Sequence, residues 1–171
     1  ISVDPYYLAH IANKIEKKPL LIKSARKINN NIPKYIVKNL ENNLKNLSKP
    51  NSKIKILIMG ITFKENCADL RNTKVADMVS ELQDYGCNVY VHDPIAKSED
   101  AKREYGITLN KWEELPRNVD AMVSAVPHAE YLAQSEIILL DKLKSGGVFI
   151  DIKSSYSPEA IKSTGASLWR L

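Results

Sequence analysis

The stretch GITFKENCADLRNTK, residues 60 to 74, follows the most apolar run of the chain and sets Phe63, Lys64, Glu65, Asp69 and Arg71 between a predicted strand and a predicted helix. A lysine is a mobile point charge and an arginine a planar fork, and both suit phosphate oxygens. His128, in AVPHAEY, and Lys153, in DIKSS, each follow a further predicted strand. Three basic side chains therefore stand at successive strand ends, and in an open parallel sheet ligands bind outside those ends. The pattern points to a polyanionic ligand such as a nucleoside diphosphate. The alternatives are plainer: Lys64, Glu65, Asp69 and Arg71 satisfying one another on a surface, and His128 lying in a solvated loop.

A dinucleotide turn would read GxGxxG directly after the first strand, with an acidic residue about 20 positions on. Here Gly60 is followed by Ile61, Thr62 and Phe63, and Asp93, the acidic residue ending the second strand, lies 33 positions beyond Gly60. The connection is longer than that fingerprint by about a dozen residues, and the added residues are those of the charged loop. A phosphoacceptor role for Asp93 is disfavoured, because Pro94 follows directly and no acidic pair accompanies it.

The elements that must position these groups read as alternating strands and helices. KIKILIMG is a buried strand, KVADMVSELQDYG an amphipathic helix, NVYVHDP a second strand, and residues 97 to 105 a helix. A strand follows at 119 to 126, a helix around 135 to 144, a strand at 147 to 152, a short helix from Ser157 and a last strand at 167 to 169. This is the pattern of an α/β fold, a Rossmann-like parallel sheet with helices on both faces. Ahead of it, residues 5 to 17 predict a helix with Asp4 as N-cap and Pro5 at the first helical position. A second, longer helical stretch repeats Ile22, Ala25, Ile28, Ile32, Ile36, Leu40, Leu44 and Leu47 at three or four residues, and Pro33 is expected to kink or split it. That stripe must be buried on its own domain or on a second copy, and the sharper expectation is a homodimer through residues 20 to 47. The polar segment LSKPNSK places the domain boundary near residue 50, giving a helical segment at 1–50 and a Rossmann-like domain at 51–171.

Charge supports two regions. Residues 1 to 53 hold 11 Lys or Arg against 3 Asp or Glu, a net of +8, and residues 54 to 171 hold 14 against 17, a net of −3, making the overall +5. The basic residues come singly, without aromatic platforms or a DNA-reading motif, so they read as solvated helix faces and predict no nucleic-acid partner. No run of about 18 uncharged apolar residues exists and the start lacks a signal-peptide layout, which predicts a cytoplasmic protein without a membrane span. Cys67 and Cys87 lack CxxC spacing and read as reduced thiols, with no metal site expected.

The block MGITFKENCADLRNTKVADMVSELQDYGCNVYVHDP resembles the carboxy-terminal domain of the UDP-glucose/GDP-mannose dehydrogenase family, whose pattern here is strand, Gly, Phe-Lys, then an acidic-x-Arg pair before a helix. TFKENC with LRNTK is most similar to the branch acting on UDP-N-acetylhexosamines in surface polysaccharide synthesis. VDPYYL at 3 to 8 points the same way, and SARKIN at 24 to 29 falls where the family's long dimer-forming helix runs. The resemblance implies a NAD-dependent, two-step oxidation of the sugar C6 hydroxyl to a carboxylate, with a cysteine nucleophile. That cysteine would lie four positions before Asp4, immediately ahead of Ile1. The chain is thus expected to be the carboxy-terminal part of such an enzyme, ending naturally at SLWRL, without the amino-terminal NAD-binding domain and inactive alone. By the same resemblance Asp4 would assist water or proton handling, Lys64 would contact the nucleotide sugar, Phe63 would line the uridine end and Arg71 would reach NAD on the other domain. Lys153 and His128 would lie near the substrate. The favoured substrates are UDP-N-acetylglucosamine or -galactosamine. UDP-glucose, UDP-N-acetylmannosamine and a free-standing nucleotide-binding module are the alternatives.

Overall fold

A computed structural model describes residues 4–44 and 54–171. Two helices come first, α1 (Asp4–Lys14) and α2 (Leu20–Leu44). Then follow β1 (Lys55–Met59), α3 (Lys74–Asp84), β2 (Asn88–His92), α4 (Ser98–Tyr105) and β3 (Val119–Ser124). The chain closes with α5 (Ala129–Leu132), α6 (Glu136–Leu139), β4 (Leu143–Asp151), α7 (Pro158–Ser163) and β5 (Ser167–Arg170). The strands pair in parallel in the order β2-β1-β3-β4-β5. Connections leave β1 to opposite sides, so the crevice at the carboxyl ends of β1 and β3 is the topological switch point, where such sheets bind ligands.

Both faces of the sheet are covered, which is why its strands read as continuous apolar runs. Ile56, Ile58, Ala121, Val123 and Ile150 face a core shared with α2, α3 and α4. Leu57, Met59, Met122 and Phe149 face a second core closed by Tyr131, Leu139 and Ile161 from α5, α6 and α7. The strand alternation set by the two-residue side-chain period divides them cleanly.

Helix α2 runs unbroken through Pro33, so the expected split does not occur. Its carboxy-terminal half packs on this domain: Pro33, Ile36, Val37, Leu40 and Leu44 are buried there. Each such aliphatic side chain stabilises the docking by about 1.5–3 kcal/mol, which holds the helix together across the missing proline hydrogen bond. The amino-terminal half leaves the sheet, and Leu20, Leu21 and Ile28 are exposed. The boundary expected near residue 50, and Leu47 of the stripe, lie outside the described residues; Leu44 already belongs to the sheet's core.

Smaller differences have local causes. Helix α1 starts at Asp4 itself and ends at Lys14 rather than 17. The helix expected around 135 to 144 is instead α6, a 3-10 turn over 140–142, and the start of β4. Leu143 pairs with Val119 across a register irregularity, and strand pairing therefore claims residues whose spacing also fits a helix. No described helix is long and apolar enough to cross a membrane. Both cysteines are free and half-buried, and burial raises the Cys87 thiol, keeping it protonated.

Candidate functional site

The charged loop is held by one buried carboxylate and one buried imidazole. Asp93 Oδ2 accepts the amides of Ile61 at 2.7 Å and Thr62 at 3.3 Å, and Oδ1 accepts those of Ile95 at 2.9 Å and Ala96 at 2.8 Å. His128 has no exposure at all. Its Nδ1 accepts the Asn66 amide at 3.0 Å, which leaves the proton on Nε2 to face Asp93 Oδ2 at 3.1 Å and Thr62 Oγ1 at 3.2 Å. The Thr62 hydroxyl donates to the Lys64 carbonyl, the Phe63 amide to the Asp69 carbonyl, and Asn66 Oδ1 accepts the Ala129 amide. Phe63 and Lys64 therefore sit on a short backbone segment fixed at both ends.

Burial pushes the Asp93 carboxyl up, but the His128 bond and the amides of Ile61, Ala96 and Ile95 outweigh it and hold the group at about 2. The same amides decide what this turn can bind. In a dinucleotide site the amides after the first strand meet a pyrophosphate and the acidic residue at the second strand's tip holds a ribose. Here both are spent on each other, and Gly60 lies against Val126, so the β1 turn does not fit NAD. Ligand phosphates must meet side chains beyond it.

Those side chains line a cleft of about 600 Å³ over the carboxyl ends of β1, β3 and β4, between the loop and α2. Phe63, Lys64 and Lys153 all face it. Its lining holds the cations Arg26, Lys64, Lys74 and Lys153 against the carboxylates Glu65 and Asp77, a surplus of two positive charges. Both carboxylates already face lysines of the cleft: Glu65 lies 3.6 Å from Lys153, and Asp77 2.9 Å from Lys74. Lys153 is carried on a loop held as the first one is, by a buried aspartate at a strand end: Asp151 accepts the amides of Ser155 and Tyr156 and meets Arg170 at 3.2 Å.

The expected site residues thus separate. Phe63, Lys64 and Lys153 come together in the cleft. His128 does not face it; the expectation of a substrate contact gives way to a side chain that braces the loop from behind, because both ring nitrogens are engaged inside the protein. Arg71 lies outside the lining, 79% exposed, with its Nε and a terminal nitrogen on Asp69, and this contact holds the Asp69 carboxyl at about 2. Asp4 is exposed at the start of α1 and is likewise outside the lining. Unanticipated members of the cleft are Tyr6, Arg26, Asn29 and Asn30 of the helical wall and Lys74 at the start of α3.

Residues 57–158 match the UDP binding domain of the UDP-glucose/GDP-mannose dehydrogenase family. Among curated relatives, Protein CapL of Staphylococcus aureus is 38% identical over 174 residues, covering 100% of this chain and 40% of that protein. A UDP-N-acetyl-D-glucosamine 6-dehydrogenase of Pseudomonas aeruginosa is 42% identical over 133 residues, covering 77% of this chain and 31% of that protein. A UDP-N-acetyl-D-mannosamine dehydrogenase of Methanococcus aeolicus is 27% identical over 157 residues, 91% of this chain and 33% of that one. The crystal structure of an NDP-N-acetyl-D-galactosaminuronic acid dehydrogenase from Methanosarcina mazei Go1 shares the fold with a TM-score of 0.82 at 24% identity, over 98% of this chain and 36% of that one. The chain spans less than half the length of each of these proteins, and the match over residues 57–158 together with these identities shows that it belongs to the UDP-glucose/GDP-mannose dehydrogenase family.

Proposed function

We propose that this chain is the nucleotide-sugar-binding part of a NAD-dependent 6-dehydrogenase that oxidises UDP-N-acetylglucosamine or UDP-N-acetylgalactosamine to the hexosaminuronate for surface polysaccharide. The observation that carries the reading is the shared cleft of Phe63, Lys64 and Lys153 with its surplus of two positive charges, the charge of a diphosphate diester with opposite sign. The relatives named for UDP-N-acetyl-D-glucosamine are more similar than those named for the mannosamine sugar, which supports the gluco substrate over the manno one.

In this reading Phe63, 40% exposed at the cleft, stacks on the uracil, and Lys64, which pairs with no carboxylate among the described residues, binds phosphate. Lys153 exchanges Glu65 for the ligand. NAD supplies the hydride acceptor and is held by an amino-terminal domain of the same protein. Arg71 turns from Asp69 toward it, and Asp4 handles a proton beside the reacting carbon. The exposed apolar residues on the amino-terminal half of α2 meet a second copy, making a homodimer.

Calorimetric titration of the chain with UDP tests the reading. Saturable binding is expected, weakened tenfold to a hundredfold in Lys64→Ala, the effect of losing one charge-assisted hydrogen bond. Absent binding, or binding indifferent to Lys64, would overturn it. In the whole enzyme Arg71→Ala is expected to raise the KM for NAD while leaving that for the nucleotide sugar unchanged.

A further inference from the structure

We propose that Asn66 and His128 are positioning residues for the nucleotide-sugar cleft: the neutral His128 ring staples both ends of the segment 63–65, and a second proton on that ring releases it. The inference deepens the reading above and rests on it.

Three consecutive residues, Phe63, Lys64 and Glu65, face the cleft. The residues that flank them meet one and the same imidazole: Thr62 Oγ1 lies 3.2 Å from its Nε2, and the Asn66 amide donates to its Nδ1 at 3.0 Å. The ring is a fixed post. The His128 amide donates to the Val126 carbonyl at 3.0 Å, and the His128 carbonyl accepts the amides of Tyr131 at 3.0 Å and Leu132 at 3.2 Å. Asn66 adds a second tie at the same place, because its Oδ1 accepts the Ala129 amide at 2.8 Å. Its φ is +56°, in the left-handed region that asparagine visits more readily than most residues. The turn and the two ties bring the chain back over the ring, and the backbone between Thr62 and Asn66 is held at each end by His128.

The protons of the ring follow from these contacts. Nδ1 accepts a backbone N–H and so carries no proton of its own, while the Nε2 proton faces Asp93 Oδ2 at 3.1 Å and Thr62 Oγ1. The Thr62 hydroxyl gives its own proton to the Lys64 carbonyl at 3.0 Å. A second proton can enter the ring only at Nδ1, where it would meet the Asn66 N–H donor to donor, and that contact must open. The surroundings do not prevent it. Asp93, just beyond β2, favours the charged ring. His92, at the end of β2, opposes it only when itself charged, and burial lowers the His92 imidazole and keeps it neutral. The Tyr131 ring of α5 lies 5.9 Å away with its hydroxyl engaged by His92. The charged residues adjacent in sequence are Lys64, Glu65 and Glu130, one cation and two anions. The clamp is closed on the neutral ring and opens as pH falls and the ring takes its second proton.

The test titrates the chain calorimetrically with UDP-N-acetylglucosamine, whose diester phosphates stay singly ionised over the range in which histidines titrate, about pH 5 to 8. Asn66→Ala is expected to weaken binding about tenfold, the effect of one hydrogen bond. Asn66→Asp, which keeps the acceptor for Ala129, is expected to recover most of that loss. Asn66 is exposed, and thermal midpoints taken alongside confirm that both variants are folded. The unaltered chain is expected to lose affinity severalfold from about pH 7.5 to about 5.5. His128→Gln keeps a donor for Asp93 but neither titrates nor accepts from Asn66, and it is expected to bind weakly and equally at both. Without any ligand, the Asn66 amide is expected to exchange its hydrogen more slowly in the unaltered chain than in His128→Gln at the same pH. Equal exchange in the two, an Asn66→Ala that binds as the unaltered chain does, or a pH profile unchanged in His128→Gln would each overturn the clamp. The nucleotide-sugar reading would then stand on Lys64→Ala, which still weakens binding. No binding of UDP-N-acetylglucosamine by the unaltered chain would remove both.

Discussion

Replacing Asp93 by alanine is expected to destabilise the chain by about 3–5 kcal/mol, an effect out of scale for one partly polar residue. The carboxylate satisfies four backbone amides and the His128 ring from a site that is 8% exposed. Each buried donor left without an acceptor costs about 1–3 kcal/mol, moderated where water can enter. Asp93→Asn keeps the volume and one carbonyl oxygen but sets an amide donor against donors, and about 1–3 kcal/mol is expected from it. Acid gives an independent reading of the same contacts. Asp93 titrates at about 2 in the folded chain against an ordinary 3.8, so its stabilisation is complete above the unfolded value and disappears as pH falls through the folded one. At neutral pH that difference is worth about 2 kcal/mol. Denaturant unfolding between pH 6 and about 2 is therefore expected to show the native chain losing this increment while Asp93→Asn does not. The half-buried Asp69, also held at about 2, titrates in both proteins and cancels in the comparison. Parallel acid profiles for the two proteins would mean that Asp93 does not brace the loop.

What the sequence discloses of this arrangement follows the physics of each part. Strands buried on both faces are largely apolar, and KILIM and VDAMVS, the latter in spite of its Asp120 and Ser124, are legible for that reason. The excess length between Gly60 and Asp93 is a matter of counting, and it locates the loop with Phe63 and Lys64. Where a side chain points is a different kind of fact. His128 stands after a strand end as Lys153 does, and only the packing of the loop over it turns one inward and leaves the other facing the cleft. Arg26, Asn29 and Asn30 read as members of a solvated basic helix because nothing local fixes the helix's rotation. Docking through Ile36 and Leu40 fixes it ten residues away. The available signal was the spacing itself: carried back from Leu40 through Ile36 and Pro33, the buried face arrives at those three residues. Pro33 argues for a break by local rules, and tertiary burial overrides them.

Gly60→Ala is expected to cost about 3–5 kcal/mol and to reduce nucleotide affinity in whatever chain still folds, for a reason separable from ordinary glycine strain. Gly60 has φ +83°, and a β-carbon there would fall 2.4 Å from the Val126 carbonyl oxygen and 2.6 Å from the Val126 Cβ. Neither side can yield cheaply. The amides of Ala125 and Val126 both donate to the Met59 carbonyl at 3.0 and 3.1 Å, and the Gly60 amide donates to the His92 carbonyl at 2.8 Å. These bonds pin the end of β1 between its two neighbours at the switch point, and relieving the overlap means breaking at least one. Gly106 supplies the control: its φ is +70°, and a β-carbon there meets nothing within 4 Å. Gly106→Ala carries only the conformational penalty of a left-handed residue, about 1–2 kcal/mol. The difference between the two variants in denaturant midpoint, at equal slope, isolates the steric contribution at the switch point. Equal losses would show that the β1 and β3 ends separate freely, and the amides of Ile61 and Thr62 would then move with them. Because those amides carry the segment that presents Phe63 and Lys64, a large loss at Gly60 alone ties the cleft's geometry to the close approach of two strand ends.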